Sequence, residues 1–291
     1  MPELPEVETL ARGLQREVAG RKILSVTLGK TDFIDNPELL ESELPGRTIV
    51  RVERYGKFLL LRLGAEGTEE SALLVHLGMT GLLMPLPVSQ PQANHTHVVL
   101  LLGDGRELRY VDPRRFGRIA YLAGEVLSAE LKRFGEDPLE TGLEEFSRRI
   151  HGRKARIKAL LLDQSVLRGV GNIYADETLW KAKIHPARLG AGLKSLEMKA
   201  LYVELQKILR KAILLRGSSI SDFLDAEGRP GEYQHHHRVY GREGKPCFRC
   251  KTKIRRAIIA GRSSSFCPLC QKPPRGRKKT GRSGAKRGGK K

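Results

Sequence analysis

The chain begins Met1-Pro2-Glu3-Leu4-Pro5-Glu6-Val7-Glu8, a proline directly behind the initiator methionine with carboxylates on either side of the next turn. Removal of Met1 would leave Pro2 as a free secondary amine. An α-amino group has a reference pKa of about 7.7–8.0, so much of it is unprotonated near neutral pH and able to attack an aldehyde-like carbon. The same residues also suit the first turn of a helix, where proline is tolerated and acidic side chains oppose the dipole. Taken alone, the eight residues leave both readings open.

A second cluster lies near the other end. Cys247-x2-Cys250 and Cys267-x2-Cys270 are separated by sixteen residues, the spacing of a tetrahedral four-cysteine zinc site. Four thiolates leave no open position for water, which makes the zinc structural. Disulfides are disfavoured in a chain that carries no secretion signal. The intervening stretch from Lys253 to Phe266 reads as a hairpin turning at Gly261, too short for its own core, so zinc would supply its folding free energy. Arg255, Arg256 and Arg262 on that hairpin can meet phosphates.

Charge points the same way. The 291 residues carry 53 Lys plus Arg against 33 Asp plus Glu, a net +20, and the stretch from Pro273 to Lys291 contributes nine basic and no acidic residues, leaving +11 elsewhere. An excess spread this widely implies a polyanionic partner, nucleic acid first. With 40% hydrophobic and 30% charged residues the chain reads as a soluble globular protein. It has no apolar run of membrane-spanning length and an acidic start unlike a signal peptide. The expected location is cytoplasmic, associated with the nucleoid, and the expected state a monomer. The basic tail has nothing large and apolar to bury, and is expected to be disordered and to touch phosphates without reading sequence.

These residues must be positioned by two kinds of structure. After a helix running to about Val18, apolar or alternating runs at Ile23–Leu28, Ile49–Leu63, Ala72–Met84, His97–Leu102, Glu107–Val111 and Arg118–Leu122 read as strands of a sandwich or barrel. Helical periodicity takes over at Val126, with helices at about 126–133, 143–150, 155–163, 172–183 and 194–215. The expected fold is α+β. An N-terminal β-sandwich domain is expected over 1–135, a helical domain over 136–228, a zinc finger over 229–272 and the tail over 273–291.

Three further segments carry a resemblance: Tyr55-Gly56-Lys57-Phe58, Asp112-Pro113-Arg114-Arg115-Phe116-Gly117 and Gly169-Val170-Gly171-Asn172-Ile173-Tyr174-Ala175-Asp176-Glu177. With PELPEVET and the four-cysteine finger, the chain closely resembles the formamidopyrimidine-DNA glycosylase (MutM) family from Pro2 to about Lys272. The resemblance implies a base-excision repair enzyme on damaged double-stranded DNA. It would excise oxidised purines through a Schiff base on Pro2, then cut the abasic strand by β- and δ-elimination. It also implies one zinc per chain and a helix-two-turns-helix element. By the same resemblance Glu3 is the acid at the sugar, Glu6 orients the site, Lys57 assists β-elimination and holds DNA, and Arg262 contacts the phosphates flanking the lesion and assists δ-elimination. Phe116 probes the base stack, Arg114 pairs with the orphaned cytosine, and Met79 fills the space of the flipped base. His95, Arg153, Lys158 and Asn172 are expected to contact DNA.

By residue type alone, Lys57 also suits a solvated strand and Met79 a packed core. Two departures stand out. Arg216-Gly217-Ser218-Ser219 has arginine where the family usually has the first glycine of a base-covering loop. His235-His236-His237 is unusual before Val239-Tyr240-Gly241 and reads as a surface feature. Two other functions remain open: an endonuclease VIII-like glycosylase for oxidised pyrimidines, and a DNA-binding protein without catalysis. Leu4 and DPRRFG favour the purine branch, and an amine beside two carboxylates has no use in a pure binder.

Overall fold

The structure is a computed structural model that describes residues 1–64, 70–220 and 223–274. Most of the basic tail, and with it the expectation of disorder there, lies outside the described residues.

Helix α1 (Leu4–Val18) buries Leu4, Val7, Leu10, Leu14 and Val18, the three- and four-residue spacing that puts one apolar stripe along a helix. The strands that follow are β1 (Ile23–Leu28), β2 (Ile34–Asp35), β3 (Thr48–Tyr55), β4 (Phe58–Gly64), β5 (Ser71–His76), β6 (Leu82–Pro87), β7 (Thr96–Leu102), β8 (Arg106–Val111) and β9 (Arg118–Ala123), with a short helix α2 (Pro37–Glu43) between β2 and β3. They form two sheets, ordered β1-β7-β8-β6 and β2-β9-β5-β4-β3. All pairings are antiparallel except β2 with β9. The inner faces of both sheets and most of the α1 stripe share one core, the expected sandwich.

Two runs read as single stretches divide. Ile49–Leu63 is a hairpin, Tyr55 pairing with Phe58 around Gly56 at φ +64. A glycine with positive φ at the first of two turn positions is the type II′ preference, and this turn presents Lys57. Ala72–Met84 sends β5 to one sheet and β6 to the other, the intervening loop carrying Met79. The sequence reading missed β2 and α2, which are too short to show a period.

Helix α3 (Gly124–Lys132) packs on β9 and β5. The second core belongs to α4 (Leu143–Ile150), α5 (Ile157–Leu162), α6 (Asn172–Lys181) and α7 (Ser195–Leu214). Leu4 joins this second core while Val7 to Val18 join the first, so α1 crosses the seam between the lobes. Arg54 braces it, bonding Glu8 at 2.8 Å and the buried Asp137 at 2.6 Å. The third unit is a hairpin of β10 (Arg255–Ile259) and β11 (Arg262–Phe266), turning at Ala260 and Gly261, both with positive φ.

Candidate active site and metal centre

The chain's amino end is held at the seam by α6. The N–H of Leu4 donates to Gly169 O at 3.0 Å. Gly169 has φ +96, and a Cβ on it would stand 2.8 Å from Leu4 Cβ. The Glu3 side chain then lies across the first turn of α6, accepting from the N–H of Ile173 at 2.9 Å and Tyr174 at 3.4 Å. A helix N-terminus offers unpaired N–H groups and the positive end of its dipole, a natural seat for a carboxylate. Gly171 makes the approach possible, because a Cβ there would fall 2.2 Å from Glu3 Cδ.

Glu6 is equally enclosed. Its Oε2 accepts the Glu3 N–H at 2.8 Å, and its Oε1 accepts the Ser218 N–H at 2.6 Å and the Tyr174 hydroxyl at 2.5 Å. Gly217, at φ +77, leaves room that any Cβ would take, 2.6 Å from Glu6 Oε1. Burial pushes the Glu6 carboxyl up to about 7, with the Glu3 charge adding to it and its three donors opposing. Glu3 is raised for the same reason, against the pull of Lys57, the two α6 N–H groups and the amino terminus. Lys57 is lowered by burial; Glu3 and Glu6 oppose that shift, while Arg262 reinforces it. Chain terminus, two carboxyls, a desolvated lysine and Arg262 thus act on one another, and the proton affinities of Glu3, Glu6 and Lys57 are drawn toward neutrality in the manner of acid and base groups.

A small recess of about 30 Å³ opens beside them, lined by Met1, Pro2, Met79, Ile173, Ser218, Ile220 and Phe223. Met79 is therefore not in the core. Its loop and the DPRRFG loop are latched together by the buried Asp112. That carboxylate accepts from Thr80 Oγ1 at 2.6 Å, Arg114 N–H at 3.2 Å, Gly117 N–H at 3.0 Å and the Tyr110 hydroxyl at 3.2 Å. Phe116 stands 56% exposed, with the Arg114 guanidinium 4.5 Å from its ring centroid. An exposed phenyl ring on a braced loop has no folding role to explain it, and suits insertion into a base stack.

His95, Arg153 and Arg262 are exposed, and Asn172 opens α6 with its Nδ2 3.5 Å from Ser263 Oγ. Lys158 departs from the expected DNA-facing position. It is fully buried, its ammonium bonded to Asp176 at 2.6 Å and Ser263 O at 2.7 Å. It ties α5, α6 and β11 together, and a phosphate has no access to it. His237 also departs, being buried between Tyr233 and Tyr240 with Nε2 3.1 Å from Ser218 Oγ; only His235 is fully on the surface. Arg216 adopts a left-handed conformation, φ +57, and its guanidinium turns to Glu232 at 2.5 Å.

Sequence reasoning gave no role to Tyr174, Ser218, Asp112, Asp176 or Glu177. Each stands in a quoted segment, yet all but Asp112 have their main partners remote in sequence, and Asp112 reaches across to Thr80. Asp176 accepts from Ser265 N–H at 2.8 Å, and Glu177 accepts the N–H groups of Arg238, Val239 and Tyr240, each at 2.9 Å. Helix α6 is in this way the hub that carries the candidate active site at one end and the finger along its side.

The four cysteine sulfurs lie within 4.8 Å of one another, none in a disulfide. Tetrahedral zinc with Zn–S bonds of about 2.3 Å fits that cluster. The group docks on the far end of α6: Trp180 Nε1 donates to Cys247 Sγ at 3.4 Å, and Arg249 caps the carbonyls of Trp180 at 2.6 Å and Lys181 at 2.9 Å.

Comparison with known proteins adds three matched regions: a formamidopyrimidine-DNA glycosylase N-terminal domain over residues 1–119, a formamidopyrimidine-DNA glycosylase H2TH domain over 134–224, and a zinc finger found in FPG and IleRS over 244–273. Formamidopyrimidine-DNA glycosylases of Herpetosiphon aurantiacus and Solibacter usitatus are each 44% identical, the alignments covering 93% and 94% of this chain and 100% of each relative. A Lactococcus lactis FPG mutant bound to Fapy-dG DNA superposes with a TM-score of 0.85 at 35% identity, covering 94% of this chain and 100% of that one. MutM bound to DNA containing carbocyclic 8-oxo-G gives the same TM-score, identity and coverage. With these three matched regions and full-length relatives at 44% identity, the chain belongs to the formamidopyrimidine-DNA glycosylase family.

Proposed function

We propose that this chain is a bifunctional DNA glycosylase and abasic-site lyase that removes oxidised purines, 8-oxoguanine and formamidopyrimidines, from duplex DNA. The observation that carries the reading is the enclosure of the amino terminus by Glu3, Glu6 and Lys57, all buried, at the edge of a recess bounded by Met79. Once Met1 is removed, the Pro2 nitrogen attacks C1′ of the damaged nucleotide and the glycosidic bond breaks toward the base. Glu3 delivers a proton to the opening sugar oxygen, leaving an iminium between Pro2 and the ring-opened sugar. Its positive charge acidifies C2′; loss of that proton expels the 3′ phosphate, and a second elimination expels the 5′ phosphate. Lys57, its proton affinity lowered by burial, serves the first elimination, and Arg262 receives the phosphate charge at the second. Glu6 fixes Glu3 through its backbone N–H.

Phe116, Arg114 and Met79 occupy the duplex where the base leaves it, while His95, Arg153 and Asn172 hold phosphates. The division 1–135, 136–228 and 229–272, with the enzyme acting as a monomer at the nucleoid, belongs to this reading and is supported by the separate cores of the two lobes and finger. Zinc holds the finger hairpin and takes no part in bond cleavage.

Borohydride trapping on a duplex with 8-oxoguanine opposite cytosine tests nucleophile and substrate together. Trapping is expected with wild type and should be lost when Pro2→Gly is introduced or Met1 is retained. Undiminished trapping by protein with a chemically blocked amino terminus would overturn the reading. Trapping confined to oxidised-pyrimidine duplexes would move it to the endonuclease VIII-like specificity.

A further inference from the structure

We infer that a second recess, walled by the end of α6, the middle of α7 and the segment 233–238, is a phosphate-binding pocket separate from the lesion site. The cavity is about 150 Å³, some ten times the space one water needs. Its rim brings together Lys181 from α6, Lys207 and Lys211 from α7, and Arg238 and His236 from the following segment. Lys207 and Lys211 are four residues apart, so they share a helix face and repel one another in the absence of an anion.

The two acids in the wall, Glu177 and Glu204, neutralise this ring only in part. Glu177 is buried and spends its carboxylate on the backbone N–H groups of Arg238, Val239 and Tyr240. Glu204 reaches Lys207 at 3.8 Å. Lys181 and Arg238 lie over aromatic rings, those of Trp180 and Phe248, and Lys211 is 3.1 Å from His236 Nδ1. Among the described residues none of these three cations has a carboxylate partner within ion-pair distance. With the Lys211 ammonium donating to Nδ1, the remaining ring proton of His236 sits on Nε2. The recess is therefore rich in donors and poor in available acceptors, the converse of a cation site and the complement of a tetrahedral oxyanion.

It cannot serve the lesion-flanking phosphates. Lys181 lies nine residues after Asn172, which at 1.5 Å rise per residue is roughly 13 Å along α6 from the end that seats Glu3. The phosphate comes either from DNA backbone remote from the lesion or from a small phosphate compound. The chemistry is shared, and the two sources separate experimentally.

The test uses full-length, zinc-loaded protein and needs no catalysis. Pyrophosphate is titrated calorimetrically at low ionic strength into wild type, into Lys207→Glu with Lys211→Glu, and into a control with the same charge change elsewhere, Lys132→Glu with Lys199→Glu. Wild type is expected to bind at one saturable site. Two lost charge-assisted bonds should weaken the pocket variant by at least about tenfold, the control remaining near wild type. The milder pair Lys207→Gln with Lys211→Gln reads the same loss should the reversed charges disturb folding. In a second arm, binding to a long undamaged duplex is followed against salt. A shallower slope in the pocket variant alone assigns the phosphate to DNA; an unchanged slope with pyrophosphate binding lost assigns it to a small phosphate compound. Absence of saturable pyrophosphate binding to wild type, or an equal loss in the control, overturns the inference.

Discussion

At the scale of single residues, Glu6 combines three donors with complete burial, and the two oppose each other. Every neighbour of its oxygens donates, which favours the carboxylate; burial and the Glu3 charge favour the acid, and these win, placing the carboxyl at about 7. A carboxyl raised above its unfolded value of 4.5 takes up a proton on folding, so its contribution is fully present below pH 4.5 and is lost as pH rises through about 7. Glu6→Gln cannot ionise, and its amide NH2 must face a donor, a cost of about 1–3 kcal/mol at all pH values. The stability gap between wild type and variant should therefore shrink by up to about 3 kcal/mol from pH 4.5 to pH 7.5. Urea unfolding at the two pH values measures it. A gap independent of pH would mean that Glu6 stays ionised when buried. The four-cysteine site was legible in the sequence because type and spacing are local. The proton affinity of Glu6 was not, since Tyr174 and Ser218 approach it from more than a hundred and sixty residues away.

Among the elements, α6 has the most to lose from a small change. Its first turn receives Glu3, and Gly171 is the reason Glu3 fits. In Gly171→Ala the new methyl would lie 2.2 Å from Glu3 Cδ, an overlap that moves the carboxyl off the helix end. Displacement of about 1 Å in a catalytic group costs about a hundredfold in rate. Single-turnover excision by Gly171→Ala should fall by at least that much, with duplex affinity within a few-fold of wild type. Wild-type rates in this variant would show that the Glu3 seat is not needed for the chemistry. Asp112→Ala should act on the DPRRFG loop instead: freed of its latch, the loop bearing Arg114 and Phe116 is expected to lose its register with Met79. Discrimination of 8-oxoguanine opposite cytosine from other pairings is expected to weaken more than abasic-strand cleavage, as competition between the duplexes would reveal. Much of this layer was readable, the long helices to within two or three residues at their ends. Errors fell where period gave no signal. The apolar run Ile49–Leu63 conceals its turn because Gly56 and Lys57 interrupt it by only two residues, and α2 buries just Leu40. Lys158, expected by the resemblance to contact DNA, is closed off by Asp176 and the Ser263 carbonyl, partners that local sequence does not reveal.

On the whole-molecule scale, two basic features are expected to act on DNA in different ways. The stretch from Pro273 adds nine positive charges with no fixed side-chain geometry implied by its sequence, so deleting 273–291 should flatten the salt dependence of duplex binding and spare single-turnover excision at saturating enzyme. Loss of excision with an unchanged slope would place the tail in the active architecture. The finger, by contrast, is docked. Ser265 N–H and the Ser263 carbonyl complete the coordination of the buried Asp176–Lys158 pair, Gln271 Nε2 donates to Ile184 O at 2.9 Å, and Arg249 covers the end of α6. Zinc removal unties the hairpin that makes these contacts, because the finger's own apolar cluster is a handful of residues completed by Trp180. That tryptophan is the single one in the chain, and only 3% of it is exposed. Chelation, or Cys250→Ser, should therefore shift Trp180 emission to the red as the ring meets water. Over the same titration, duplex affinity should fall at least about tenfold as Arg262 and its neighbours lose their frame. Among the described residues no hydrophobic cluster joins the sandwich core to the hairpin, so unfolding of the first lobe should not accompany the shift. Zinc-free protein with unshifted emission and full affinity would mean that the hairpin holds its place on α6 without the metal.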